Sequence, residues 1–234
     1  MMNRTFNLKD PSSQAHIEVS RNIAFHEAGH AAAIHLGNQQ KGLPPVFFQI
    51  CVKPLNCDLP SSECLGEQSG QYIAKVEGGR LIHTIATSFR ETTKYFSNEQ
   101  KLDYQRAIEA DIINLLVGPL AEARYIALCD NELINPRLVN IEALHYYGGS
   151  SDLEIVNEYL DCFIATQELR EKKLNRLFME AFSFINEWSN WLAITLLADF
   201  ILATDRNIIQ FEEISSILEQ GKLLKIAKKG DFGS

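Results

Sequence analysis

The sequence predicts a mainly helical α+β domain with one small sheet close to its first helix. Three observations carry that expectation. Apolar residues recur at helical spacing in several long stretches, among them Tyr104, Ile108, Ile112 and Leu115. Only two short runs read as strands: VFFQICV (Val46–Val52) is rich in β-formers, and QYIAKVE (Gln71–Glu77) alternates apolar and polar. The chain is 234 residues long with 46% hydrophobic and 22% charged residues, enough to bury a sizeable core without disulfide staples.

Residues 1–9 read as a loose tail, residues 10–220 as the domain and residues 221–234 as a frayed, basic tail. Asp10-Pro11 looks like a helix start, with Asp as N-cap and Pro in the first turn. The first helix then extends to about Leu36, and Gly37 is placed as its stop. After the turn GNQQKGLPP come the two strands, separated by a long polar loop that holds Cys57 and Cys64. Gly78-Gly79 ends the second strand, and Arg80–Phe89 has no clear periodicity. Ser97-Asn98-Glu99-Gln100 is a capping box opening a long helix, in which Gly118-Pro119 is expected to cause a kink or break. Asn131–Pro136 is a connection and Arg137–Tyr147 a short helix. Gly148-Gly149-Ser150-Ser151 forms a loop into a helix start at Asp152. From there the chain reads as helical to about residue 221, with breaks near residues 165, 189 and 205.

Chemistry concentrates in RNIAFHEAGHAAAIHLG (Arg21–Gly37), which holds His26, Glu27 and His30 as HExxH. Residues four apart lie on one helical face, so two imidazoles can address one Zn²⁺. Glu27 sits beside them, able to take a proton from a water at the ion. This is the zincin pattern, and a helical zincin-like metallopeptidase is the fold it suggests. Ala28 and Ala31–Ala33 favour the helix, whereas Gly29 costs about 1 kcal/mol there and makes sense where another backbone approaches closely. A catalytic zinc site takes three protein ligands and an open position. The metzincin continuation would need a histidine at position 36, which is Leu36; His35 falls on a different face. Spacing leaves two candidates for the third ligand, Glu122 and Asp152, each of which also has a plain structural role. An acid in the first turn of a helix, as at Asp152, complements the helix dipole.

HEAGHA (His26–Ala31) resembles the signature of the peptidase domain of the FtsH family, ATP-dependent zinc metalloproteases of bacterial and organelle membranes. Gly118-Pro119-Leu120-Ala121-Glu122-Ala123 is similar to that family's GGRxAEE helix, and Gly149-Ser150-Ser151-Asp152-Leu153-Glu154 to its GAxNDLE segment. FEEISSIL near the end is similar to the close of the same domain. The resemblance spans about residues 15–220. It implies that Asp152 is the third zinc ligand and that Glu122 belongs to the metal's surroundings. It departs from the family in several places: there is no P-loop GxxxxGK[ST], and the 30 residues from Glu122 to Asp152 make Arg124–Tyr147 look like an insertion. The GGR is replaced by Gly118-Pro119-Leu120, and Ser151 stands before the aspartate in place of asparagine.

The leading expectation is thus a stand-alone zinc endopeptidase acting on flexible or unfolded polypeptides, with Glu27 as general base. The strand Val46, Phe47, Phe48, Gln49, Ile50 is expected to line the cleft and pair with substrate. The alternatives are a non-catalytic, zinc-stabilised regulatory or interaction module and a metal-free helical scaffold. A net charge of −8 argues against nucleic acid as partner. No apolar run reaches membrane-spanning length if Gly118-Pro119 interrupts Ile112–Leu128. Five cysteines, an odd count without a signal peptide, suggest a reduced, cytoplasmic setting, with Cys51, Cys57 and Cys64 as free thiols. His16, His35, His83 and His145 are assigned to surface or core rather than to the ion, and Trp188 and Trp191 to core or interface. Oligomeric state is not legible in the sequence.

Overall fold

Two helices far apart in the sequence cross where both carry small residues, and the other described elements are arranged around that crossing. The computed structural model describes residues 11–52, 74–84 and 88–230. The expected N-terminal tail, the Asp10 cap, the Cys57–Cys64 loop and the start of the second strand at Gln71–Ile73 lie outside the described residues.

Helix α1 (Pro11–Ala32) continues without a break through a π turn (Ala33–Gly37) into a last α-helical turn, α2 (Asn38–Gln40). Gly37 is therefore not the stop: it is helical and buried, and the rod runs on to Gln40. Strands β1 (Phe48–Val52) and β2 (Ala74–Gly78) pair antiparallel, with Ile50 opposite Val76. A short helix, α3 (Phe89–Thr92), precedes the long helix α4 (Asn98–Cys129), which the Ser97–Gln100 capping box opens as expected. A 3₁₀ turn (Glu142–Tyr147) leads to α5 (Ser150–Phe163), α6 (Gln167–Asn186) and α7 (Trp188–Ala203). Strand β3 (Ile208–Ile209) and helix α8 (Phe211–Gly230) close the described chain.

Four further features depart from the sequence reading. Helix α4 does not break at Gly118-Pro119 but passes through it to Cys129, its apolar residues from Ile108 to Ala123 being buried except Leu115, which is partly so. It is thus long and apolar enough to cross a membrane by length and composition; more than half of its most apolar window is buried within the protein, as a core helix requires. Helix α5 begins at Ser150, two residues ahead of Asp152. The sheet has three strands in the order β2-β1-β3, because Ile208 and Ile209 pair with Cys51 and Ile50. Two residues are too few for any alternation to announce a strand. Helix α8 carries on to Gly230, through a run of Lys, Leu and Ala that favours helix, where fraying was expected.

Helix α1 lies between α4 and α7, and α4 also packs on α5 and α6. The core is one continuous cluster of buried apolar residues from Ala24 to Leu218, drawing Phe48, Ile50, Val52 and Ala74 from the sheet. The crossing of α1 and α4 is close because Gly29 has no side chain. A Cβ there would stand 2.7 Å from the Ala121 Cβ and 2.9 Å from the Val117 carbonyl oxygen. The sheet packs its Phe48, Ile50 and Val52 face inward and leaves Gln49, Lys75 and Glu77 on the solvent side.

Gly29→Ala sets two effects against each other. Helix propensity favours alanine by about 1 kcal/mol, whereas overpacking against a neighbouring backbone costs about 1–3 kcal/mol. Since backbone cannot rotate out of the way, the expected outcome in urea denaturation is a net loss of stability of about 1–2 kcal/mol. A gain would contradict the close crossing.

Candidate metal centre

The crossing of α1 and α4 determines where the two histidines point. His26 and His30 are one turn apart on α1, both buried, with ring centroids 4.7 Å apart. His30 lies over Gly118 of α4, and a Cβ at that position would overlap the imidazole. Glycine is thus required at 118 for the ring to enter, while Pro119 beside it packs against Gly149, just before α5. This packing brings the first turn of α5, and with it Asp152, across to the histidines.

Asp152 spans both rings. Its Oδ2 lies 3.3 Å from His26 Nε2 and its Oδ1 3.5 Å from His30 Nε2. One ligand atom from each of the three residues can be chosen so that all lie within 4.8 Å of one another. With metal–ligand bonds of about 2.0–2.2 Å, neighbouring ligands of a tetrahedral ion stand about 3.3–3.6 Å apart, so the carboxylate–imidazole separations suit zinc.

The outer nitrogens are occupied as well. His26 Nδ1 is 3.0 Å from Glu122 Oε2 and 3.2 Å from the Tyr147 carbonyl oxygen. His30 Nδ1 donates to the Asn114 carbonyl oxygen at 2.8 Å. All of these partners are acceptors, so each Nδ1 carries its proton, and Nε2, on the Asp152 side, is the atom that an ion would meet once its own proton has left. Such outer partners orient ligating imidazoles and raise their basicity. The donor set therefore fits a divalent transition ion held by His26, His30 and Asp152. Glu122, the other sequence candidate, stands behind His26 on the far side of its ring.

Glu27 lines the same cleft, half-buried, and its Oε2 accepts a 2.6 Å hydrogen bond from the Val76 amide of β2. The cleft, about 390 Å³, is walled by α1, the start of α5, α4 at Asp111, Asn114 and Leu115, and β2 with the turn after it. The strand facing it is β2. The sequence placed Val46–Ile50 there, but β1 is the interior strand, paired with β2 on one side and β3 on the other, and contributes nothing to the cleft wall. One run rich in β-formers and one that alternates give no hint of which becomes the edge.

Among themselves these groups compete for protons. Burial works against a charged imidazole at His26, but hydrogen bonds to Asp152 and Glu122 outweigh it and raise the pKa to about 10. At His30 burial is likewise outweighed, chiefly by the charge of Asp152, and the pKa is raised. At Asp152 burial favours the neutral acid, but the charge on His30 and hydrogen bonds from both imidazoles hold it well below the usual carboxylate range.

Several participants carry no motif. Asn114 contributes a backbone carbonyl, which no residue type signals. Asp111 is buried, its Oδ1 accepting from the Leu81 amide at 2.9 Å and its Oδ2 from the Ile82 amide at 2.9 Å and the Tyr159 hydroxyl at 3.0 Å. Its signal was available, since a carboxylate on the apolar stripe of α4 between Ile108 and Leu115 has to be satisfied internally. Burial pushes the Asp111 carboxyl upward against those three hydrogen bonds. Of the remaining histidines, His35 pairs with Glu219 at 2.9 Å, and His83 and His145 are exposed; the side chain of His16 lies outside the described residues. Trp191 packs on Phe25 in the core, with Arg124 over its ring, while Trp188 is partly exposed. Cys51 is a free thiol whose pKa burial raises to about 11.

Comparison with known protein families, curated proteins and solved structures finds no match.

Two outcomes are expected. Glu122→Gln weakens Zn²⁺ affinity about 10–100-fold, as loss of a partner to a ligating histidine does, measured by competition with a chromogenic chelator. Affinity also rises with pH. Both imidazole pKa values lie above the usual 6.5, so through the neutral range protons must leave for the ion to bind. Each proton displaced adds about tenfold in affinity per pH unit, and Asp152, already ionised, adds none. An affinity flat between acid and neutral pH would contradict the proton-sharing cluster.

Proposed function

We propose that the chain is a zinc-dependent endopeptidase that hydrolyses flexible or unfolded polypeptide, related to the peptidase domain of the FtsH family. The observation that carries this reading is the convergence of His26, His30 and Asp152, with Glu27 on the wall of the same cleft. The order of HEAGHA, Glu122 and SSDLE along the sequence supports it independently.

The chemistry a bound zinc supplies is Lewis acidity, which acidifies water and polarises a carbonyl. The residues of the chain do the rest. His26 and His30, aligned by Glu122, Tyr147 and Asn114, present their Nε2 lone pairs together with the Asp152 carboxylate. Glu27 takes a proton from the attacking water as its oxygen bonds to the peptide carbon, and returns it to the amine nitrogen as the C–N bond breaks. Val76 holds the Glu27 carboxylate in place through its amide. Strand β2, which among the described residues pairs with β1 on one side only, offers its outer edge to an extended chain by strand addition. The chain carries no P-loop, so within it nothing couples ATP hydrolysis to unfolding, and substrates are segments already extended.

The purified protein is expected to contain zinc and to cleave casein or a quenched peptide. A chelator should abolish cleavage, and Glu27→Gln should reduce it by at least about 10²-fold, in keeping with loss of a general base. If zinc binds and raises the melting temperature while Glu27→Gln changes no measurable function, the zinc-stabilised interaction module is the correct reading. If no zinc is present, the helical scaffold is.

A further inference from the structure

The cleft contains one half-buried cation that the proposed hydrolysis does not use. Arg80 lines the cleft in the turn after β2, and among the described residues its guanidinium makes no hydrogen bond or ion pair. Lys75, the other cation at the cleft, is exposed on the solvent side of the sheet beside Glu77. The backbone on either side of Arg80 is pinned. The Gly79 amide donates to the Phe47 carbonyl oxygen at 3.0 Å, and the Leu81 and Ile82 amides both donate to Asp111 at 2.9 Å. Asp111 is a candidate counter-charge, but it already accepts from three other donors, and no hydrogen bond joins it to Arg80. The positive charge of Arg80 acts on this cluster: it lowers the burial-raised pKa values of Asp111, itself a cleft residue, and of Tyr159.

An arginine held by its backbone, partly desolvated and without a partner among the described residues has five donors to satisfy. The group that matches its planar fork is a carboxylate, bound bidentately. The backbone that carries it is already fixed, so the ordering cost of binding falls on the side chain alone. We infer that Arg80 is a specificity-determining residue of the cleft, selecting polypeptides that present a carboxylate within it, from either an acidic side chain or the chain's own C-terminus. The inference rests on the peptidase reading for the ligand being a polypeptide, but not for hydrolysis.

The test measures binding. The full-length protein carrying Glu27→Gln, loaded with Zn²⁺, is titrated into three fluorescein-labelled peptides of equal length, followed by anisotropy. The first has an internal Glu and an amidated end, the second an internal Gln and a free C-terminus, the third an internal Gln and an amidated end. Either the first or the second is expected to bind about ten- to a hundredfold more tightly than the third, and which one does so identifies the source of the carboxylate. Adding Arg80→Gln should remove the preference with the far-UV spectrum and melting temperature unchanged, and Arg80→Lys should restore only part of it. Since zinc itself attracts carboxylates, a preference that survives Arg80→Gln overturns the proposal. Equal binding of all three peptides, or binding of none, overturns it too. A carboxylate preference that depends on Arg80 in a protein that cleaves nothing would sink the peptidase reading and leave this one standing. Cleavage indifferent to Arg80 would do the reverse.

Discussion

The constraint on which the structure depends is the distance between α1 and α4. Where an ordinary helix pair is separated by side chains, this pair meets through Gly29 on one partner and Gly118 on the other. The His30 ring lies over the backbone of α4 and reaches the Asn114 carbonyl. His26, a turn earlier, reaches Glu122, two turns further along α4. One helix thus supplies both imidazoles and the other supplies an acceptor for each. Moving the helices apart by the thickness of a methyl group would unseat both rings together.

Second in importance is the segment that joins α4 to α5. It adds the Tyr147 carbonyl to His26 and, with Gly149 packed on Pro119, sets the first turn of α5 over the cleft. The residues that looked like an insertion therefore border the site itself. On the opposite wall Asp111 does comparable work, gathering two consecutive amides and a tyrosine hydroxyl so that the chain leaving β2 turns along α4. A buried carboxylate is costly unless satisfied, and here the donors that satisfy it are those that shape the cleft.

Much of this was legible in the sequence. HExxH has a short-range geometry that any helix reproduces, so the pairing of His26 with His30 needed no tertiary information. Gly29 announced a close approach because glycine is otherwise unfavourable in a helix interior. Asp152 is a different case: 122 residues separate it from His30, an acid at a helix start has a local role of its own, and only resemblance singled it out over Glu122. What remained hidden was of two kinds. Backbone participants such as the Asn114 and Tyr147 carbonyls and the Val76 amide leave no trace in residue type. Features decided by tertiary packing overrode local signals: α4 continues through Pro119, the rod passes Gly37, and β1 rather than β2 becomes the interior strand.

Proline at 119 has an effect on the helix that contains it. It has no amide hydrogen, so the carbonyl of Leu115, one turn earlier, receives no rung of the helical ladder. Leu115 is also one of the residues facing the cleft. The carbonyl of α4 that loses its i+4 donor thus belongs to a residue of the cleft lining, next to the Asn114 carbonyl that serves His30.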